Sequence, residues 1–353
     1  MTLQQLGWNE HFEAAFETYR DTHLPGRVGL EHQHIYRVYL ETGEPLAHVS
    51  GRFRHQAARR QDYPAVGDWV AVGRAADPRR VVIHAVLPRQ SRFSRKAAGD
   101  VTEEQVVAAN VDTVFLVSGL DRDYNPRRIE RYLVTAREGG AAPVVLLNKA
   151  DLCEDIEGAL AEVMQLSGDA PVLALSCRSR QGFDALSPYL QPGRTVAFLG
   201  SSGVGKSTII NGLLGREKQR THAVRDADGR GRHTTSHREL IVMPGGALLI
   251  DTPGMRELQL WDAAGGLGEA FDDITALGAG CHFRNCRHDT EPRCAVRAAV
   301  ESGELARDRY ASYLGLQREL ASLEKRQDQL AIIEEKRKWR TIHKTLRNFK
   351  PRE

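Results

Sequence analysis

The stretch from Val196 to Thr208 reads Val-Ala-Phe-Leu-Gly-Ser-Ser-Gly-Val-Gly-Lys-Ser-Thr. The apolar run Val196 to Leu199 suits a buried strand, and Ile209 to Leu214 suits a helix. Between them the spacing is G-x-x-x-x-G-K-[ST], a phosphate-binding loop with a strand before it and a helix after it. Gly200, Gly203 and Gly205 let backbone N–H groups of the loop, Ser201, Ser202 and Val204 included, converge on phosphate oxygens at a helix N-terminus. Lys206 supplies a positive charge for the β and γ phosphates, and Ser207, followed by Thr208, a hydroxyl for Mg²⁺.

Three further motifs also follow apolar runs and select the base. Asn148-Lys149-Ala150-Asp151 comes after Val144 to Leu147. A carboxylate at Asp151 can accept from the N1–H and the exocyclic amine of guanine, whereas adenine has no N1 proton to offer. Ser176-Cys177-Arg178 follows Val172 to Leu175 and can place a backbone N–H on the guanine O6. Asp251-Thr252-Pro253-Gly254 follows Ala247 to Ile250, where Asp251 can hold the Mg²⁺ shell and Gly254 can turn its N–H to the γ-phosphate. The nucleotide expected is GTP.

The order of these motifs is permuted. The base-reading segments Asn148 to Asp151 and Ser176 to Arg178 precede the phosphate loop, and Asp251 to Gly254 comes last. A parallel sheet tolerates such a rearrangement if its old termini lie close and new ends open at the surface. In this order the chain resembles the circularly permuted ribosome-associated GTPases, most of all the bacterial ribosome small subunit-dependent GTPase A family. The resemblance covers nearly the whole chain.

The 353 residues suffice for two or three domains with their own cores. Apolar content of 41% and charged content of 27% are ordinary for a soluble protein, and no apolar run is long enough to span a membrane. The first ten residues lack the pattern of a signal peptide, so a cytoplasmic protein is expected. A net charge of +3 does not indicate nucleic acid, so that inference rests on local clusters. Five cysteines, three of them close together, argue for metal in a reducing compartment.

Trp8, Phe12, Ala15, Phe16 and Tyr19 have helical spacing over Trp8 to Arg20, ended by Pro25-Gly26. Four short strands are then predicted: Ile35 to Leu40, Leu46 to Phe53, Val66 to Val72 and Arg80 to Val86. Short strands broken by glycine turns suggest a small barrel, with the oligonucleotide-binding (OB) type leading. Basic runs flank it: Arg52, Arg54, His55, Arg59 and Arg60, then Arg89, Arg92, Arg95 and Lys96. The resemblance implies such a barrel, with a similar Val-Gly-Asp-Trp-Val strand and Arg-x-Ser-Arg run. From Ala108, strands and helices alternate, beginning with a strand over Val111 to Val117 and a helix over Asn125 to Glu138, which predicts a mostly parallel sheet.

Arg220 to Arg238 has little to bury and reads as the loop that closes on Mg²⁺ and γ-phosphate, with Thr235 the first choice as Mg²⁺ ligand and Thr234 close behind. Met255 stands where many GTPases carry a water-orienting glutamine, and a thioether is a poor partner for water. The family resemblance and its pKa range make His233 the expected substitute, with a phosphate or RNA contact as the other reading.

Cys281, Cys286 and Cys294, with His288, follow C-x₄-C-x-H-x₅-C and can complete a closed, structural tetrahedral zinc site. His282 could compete as ligand; the family pattern matches His288. A helix from Glu304 leads to a basic stretch, Lys336 to Arg352, with Trp339 and Phe349 interleaved, which suits RNA phosphates and stacking. The expected architecture is multidomain α/β. It comprises an N-terminal helical extension (1–24), an OB-type β-barrel (25–98), a circularly permuted GTPase domain (99–265) and an α-helical zinc-binding domain with a basic tail (266–353). The resemblance implies a monomeric GTP hydrolase, free of membrane, that binds the small ribosomal subunit and its rRNA in late maturation. The cofactors expected are one structural Zn²⁺ and Mg²⁺ with GTP. A signalling GTPase with a protein effector, and an RNA-binding module with a structural nucleotide site, are the alternatives.

Overall fold

The computed structural model describes residues 1–32, 34–75, 77, 79–96, 104–215, 238–251, 264–323 and 325. His233, Thr234, Thr235, Gly254, Met255 and the basic stretch from Lys336 to Arg352 lie outside these residues.

Helix α1 (Glu10–Phe16) is capped by the Asn9 side chain, which accepts from His11 N and Phe12 N. Trp8 meets Trp69 edge-on with ring centroids 4.7 Å apart, and Phe12 lies 5.8 Å from the same ring. Five strands then form the barrel: β1 (Leu24–His32), β2 (Ile35–Tyr39), β3 (Leu46–Val49), β4 (Trp69–Arg74) and β5 (Arg80–Val86). Their order is β1-β2-β3-β5-β4, closed by pairing of β4 with β1, and β3 runs parallel to β5. Val28, Val38, Val49, Val70 and Ile83 fill its interior.

Two expectations change here. The chain leaves the sheet at Val49 and forms α2 (Gly51–Gln56), because the Ser50 hydroxyl accepts from Phe53 N at 3.0 Å and caps a helix start. Pro25 and Gly26 do not end structure but lie inside β1. A Cβ on Gly26 would stand 2.5 Å from Val38 Cγ1, so close strand packing explains the glycine.

A hairpin follows, β6 (Arg92–Lys96) with β7 (Glu104–Ala109), antiparallel and separate from the main sheet. No local pattern in the sequence marks it, and the first strand of the nucleotide sheet is β8 (Thr113–Gly119). After β8 come α3 (Pro126–Glu138), β9 (Ala142–Asn148), α4 (Ile156–Ser167), β10 (Val172–Ala174), β11 (Thr195–Leu199), α5 (Lys206–Leu214), β12 (Arg238–Val242) and β13 (Leu248–Asp251). Strands β10, β9, β8, β11 and β13 are mutually parallel; β12 is antiparallel to β13. Alternation along the strands separates two cores. Val114, Leu116, Ala197 and Leu199 face one side with Ile129 and Leu133 of α3. Phe115, Val117, Val196 and Phe198 face the other, with Ile209, Ile210 and Leu214 of α5.

The barrel and the nucleotide sheet form one hydrogen-bonded surface. Strand β1 pairs antiparallel with β12, Leu30 opposite Glu239 and Glu31 opposite Arg238. Arg27, 1% exposed, ties three segments together. Its Nε donates to Gly67 O, Nη1 to Leu6 O and Nη2 to Asn110 O. Burial pulls its pKa down to about 10, so it remains charged at neutral pH.

In the C-terminal part α6 (Ala264–Ala270) packs against α3, α7 (Asp272–Gly278) against α6 and α8 (Ala295–Ser302) against α7, and a helix over 307–323 follows. Arg309 bonds Asp273 through two donors at 2.7 Å and reaches Glu130 of α3 at 3.0 Å. Arg131 of α3 also pairs with Glu319.

Candidate functional site

The motifs that stand out of order in the chain meet at the carboxyl ends of β8, β9, β10, β11 and β13, where open α/β sheets bind ligands. The phosphate loop leaves β11 through Gly200 (φ +158°), Gly203 (φ +82°) and Gly205 (φ +98°). A Cβ on Gly200 would lie 2.4 Å from Val117 O, and one on Gly205 would lie 2.2 Å from Asn148 Nδ2. The loop is therefore compressed against two neighbouring strand ends. Lys206 begins α5, and its Nζ donates to Gly200 O and Ser201 O, each at 2.6 Å, so the ammonium lies against the loop.

Asn148 ends β9 and is 1% exposed. Its amide donates to Val204 O at 2.8 Å, while its oxygen receives Cys177 N and Cys177 Sγ at 3.4 and 3.3 Å. One side chain thus joins the phosphate loop to the Ser176-Cys177 turn. Burial first, and Asp151 to a lesser degree, push the Cys177 thiol up to about 11 against the Asn148 hydrogen bond, so it stays protonated. Asp151 is exposed, and Ser176 Oγ donates to its Oδ1 at 2.5 Å, which orients the carboxylate. Lys149 adopts φ +65°, the left-handed region, and its Nζ pairs with Asp121. Such a conformation in a non-glycine residue costs on the order of 1 kcal/mol and is common where a site fixes the backbone.

Three residues not singled out in the sequence belong to this network. Arg128 near the start of α3 donates to Asp123 Oδ2 at 2.6 Å and to Ser201 Oγ at 3.0 Å, and Ser201 Oγ donates to Asp123 at 3.0 Å. The Arg128 hydrogen bond holds the Asp123 carboxyl below its usual range. Asp121 and Asp123 directly follow Gly119 at the end of β8, so their place past a strand terminus was the available signal. Asp251 ends β13, and Ser207 and Thr208 lie in the first turn of α5.

The second centre lies before α8. Ligand atoms of Cys281, Cys286, His288 and Cys294 all lie within 4.8 Å of one another. His288 Nδ1 is 3.5 Å from Cys281 Sγ and 3.4 Å from Cys294 Sγ, and those sulfurs are 3.8 Å apart. A tetrahedral ion with Zn–S near 2.3 Å and Zn–N near 2.0 Å requires edges of about 3.8 Å and 3.5 Å, so the donor set fits such an ion. Burial lowers the His288 pKa, which favours the neutral imidazole that a metal needs. Its φ is +63°, and Tyr310 Oη donates to its carbonyl at 2.5 Å. His282 is exposed and outside the cluster.

Of the two basic runs, Arg89 is spent internally. It is bidentate to Asp68, with both bonds at 2.8 Å, and donates to Gln61 O and Tyr63 O. Arg52, Arg54, Arg59, Arg60 and Arg92 are exposed. No helix among the described residues is long and apolar enough to cross a membrane.

Residues 86–261 match the family model described as RsgA GTPase. The small ribosomal subunit biogenesis GTPase RsgA of Opitutus terrae is 51% identical over 355 residues, covering 97% of this chain and 96% of that protein. Its counterpart in Syntrophotalea carbinolica is 43% identical over 351 residues, with 97% and 96% covered. Among solved structures, YjeQ from Thermotoga maritima superposes with a TM-score of 0.63 at 30% identity, covering 84% of this chain and 98% of that one. YloQ, described as a circularly permuted GTPase, gives 0.61 at 26% identity, with 85% and 96% covered. With these strand-end motifs brought together in permuted order on one sheet, the chain belongs to the RsgA GTPase family and is a hydrolase acting on GTP.

Proposed function

We propose that this GTPase binds the small ribosomal subunit through its rRNA, acts in late subunit maturation, and hydrolyses GTP fast only when the subunit orders its switch loop. The observation that carries the reading is the β1–β12 junction. An OB-type barrel, a class that binds oligonucleotides, is hydrogen-bonded to the strand that directly follows residues 216–237. The relatives' names point the same way.

In this reading Asn148, Lys149, Asp151, Ser176 and Cys177 hold guanine. Residues 200–208 hold the phosphates, and Lys206 stabilises charge on the β and γ oxygens. Ser207, Asp251 and Thr235 would hold Mg²⁺, which supplies charge neutralisation of the phosphates when bound. Gly254 would contact the γ-phosphate and His233 would orient the attacking water. Cys281, Cys286, His288 and Cys294 would hold one structural Zn²⁺. The functional units would be 1–24, 25–98, 99–265 and 266–353, in a cytoplasmic monomer. GTP turnover with and without purified small subunits tests the reading: strong stimulation supports it, and indifference to the subunit overturns it.

A further inference from the structure

Where the barrel, the hairpin and β12 meet, two arginines from different elements converge on one neutral atom. Gln105 of β7 is 6% exposed. With its amide oriented to satisfy its neighbours, the oxygen accepts from Arg60 Nη2 and Nε at 3.0 and 3.2 Å, and from Arg238 Nη1 and Nη2 at 3.1 and 3.3 Å. Arg95 of β6 sits beside the same amide. Arg238 pairs with Glu31 of β1 at 2.9 Å, whereas Arg60 meets no carboxylate among the described residues. Burial lowers the Arg238 pKa, Glu31 raises it, and the charges of Arg95 and Arg60 lower it further. Two guanidinium groups on one amide dipole form an arrangement that an added anion would relieve.

The approach is preorganised. The turn carrying Arg60 is fixed by Asp62, whose Oδ2 accepts from Ala58 N and Arg59 N, and by Arg89, which holds the carbonyls of Gln61 and Tyr63. Arg60 itself is exposed and continues the surface run Arg52, Arg54, His55 and Arg59. Arginine forks match phosphate oxygens in two-point contacts, and a fixed donor loses little entropy on binding.

We propose that Arg60 and Arg238, with Arg95 beside them, form a binding site for one RNA backbone phosphate at the seam between the barrel and the nucleotide sheet. The ligand is a phosphodiester of the RNA that the barrel engages, so the inference rests on the function proposed above and names one contact within it. The phosphate competes with Glu31 for Arg238. Because Arg238 opens β12, an RNA strand at this seam holds the strand that leads out of residues 216–237.

The test is binding of the full-length protein, loaded with a non-hydrolysable GTP analogue, to purified small subunits across a KCl series. Arg60→Ala should weaken binding about fivefold or more and flatten the slope of log affinity against log salt by about 0.7 to 0.9, the loss of one phosphate contact. Glu31→Gln, which removes the competing charge, should tighten binding, a change opposite to that of a merely structural pair. Unchanged slope in Arg60→Ala, or weaker binding in Glu31→Gln, overturns the site. Stabilisation of the wild type but not of Arg60→Ala by millimolar inorganic phosphate, with subunit binding unaltered, would assign the seam to free phosphate and overturn the RNA assignment. If the wild type ignores small subunits altogether, the proposed function fails; the same salt series with poly(U) then decides the seam by the same criteria.

Discussion

Asn148 donates its amide to Val204 O at 2.8 Å, joining the Asn-Lys-x-Asp turn at the end of β9 to the glycine-rich loop after β11. The chain separates them by 56 positions in the reverse of the usual motif order. The bond explains why Gly205, with φ +98°, has no room for a side chain. Gly205→Ala would force a Cβ to within 2.2 Å of Asn148 Nδ2 in a strained backbone region. The expected result is a loss of GTP and GDP affinity of about tenfold to a hundredfold, from a penalty of about 1–3 kcal/mol. Fluorescent-nucleotide titration measures it.

Asp151 is exposed and oriented by Ser176 Oγ, and the function proposed above assigns its carboxylate to the guanine edge. Asp151→Asn should lower GTP affinity about a hundredfold or more, because two charge-assisted hydrogen bonds of about 1.5–3 kcal/mol each are lost. Xanthosine triphosphate, which presents a carbonyl where guanine has its amine, should become the preferred ligand. Competition between the two nucleotides measures the switch.

Arg27 bonds carbonyls from the N-terminal extension, the turn before β4 and the segment before β8. Arg27→Met keeps the apolar stem and strands three acceptors. At about 1 kcal/mol or more each, the loss should be about 3 kcal/mol and the melting temperature should fall by about 5 °C or more. Scanning calorimetry or a thermal-shift assay reads this, and Arg27→Lys should fall between.

The docking of the 307–323 helix should weaken in acid. Burial works to raise the Asp273 pKa, but the Arg309 fork outweighs it and holds the carboxyl below its usual value of 3.8. A depressed carboxyl pKa gives stability that is present above the unfolded value and lost as pH falls through the folded one. Asp273 is partly exposed, so the contribution is on the order of 1 kcal/mol. Wild type should therefore lose more stability than Asp273→Asn between about pH 5 and 3 in a pH series of thermal melts.

Much of this was legible in the chain because strand-end motifs carry their context with them. The loop at Gly200 to Lys206 and the tetrad at Asn148 both announce a strand before and a turn after. Strand β1 was not legible: Leu24 to His32 contains Pro25, Gly26 and Gly29, and its glycines answer to Val38 and Tyr39 on the neighbouring strand, which no local pattern shows. The β6–β7 hairpin and the Asp123–Arg128–Ser201 network escaped for the same reason, since their partners are fixed by tertiary placement. Arg89 reads as a surface charge in sequence, yet buried Asp68 lies against it.

The most direct measurement is steady-state GTP turnover of the wild type and of His233→Ala, each with and without purified small ribosomal subunits. Slow intrinsic hydrolysis is expected, with stimulation on the order of 10³-fold or more by subunits in the wild type, and loss of that stimulation in His233→Ala with GTP affinity retained. Equal turnover with and without subunits in the wild type would contradict the proposed function.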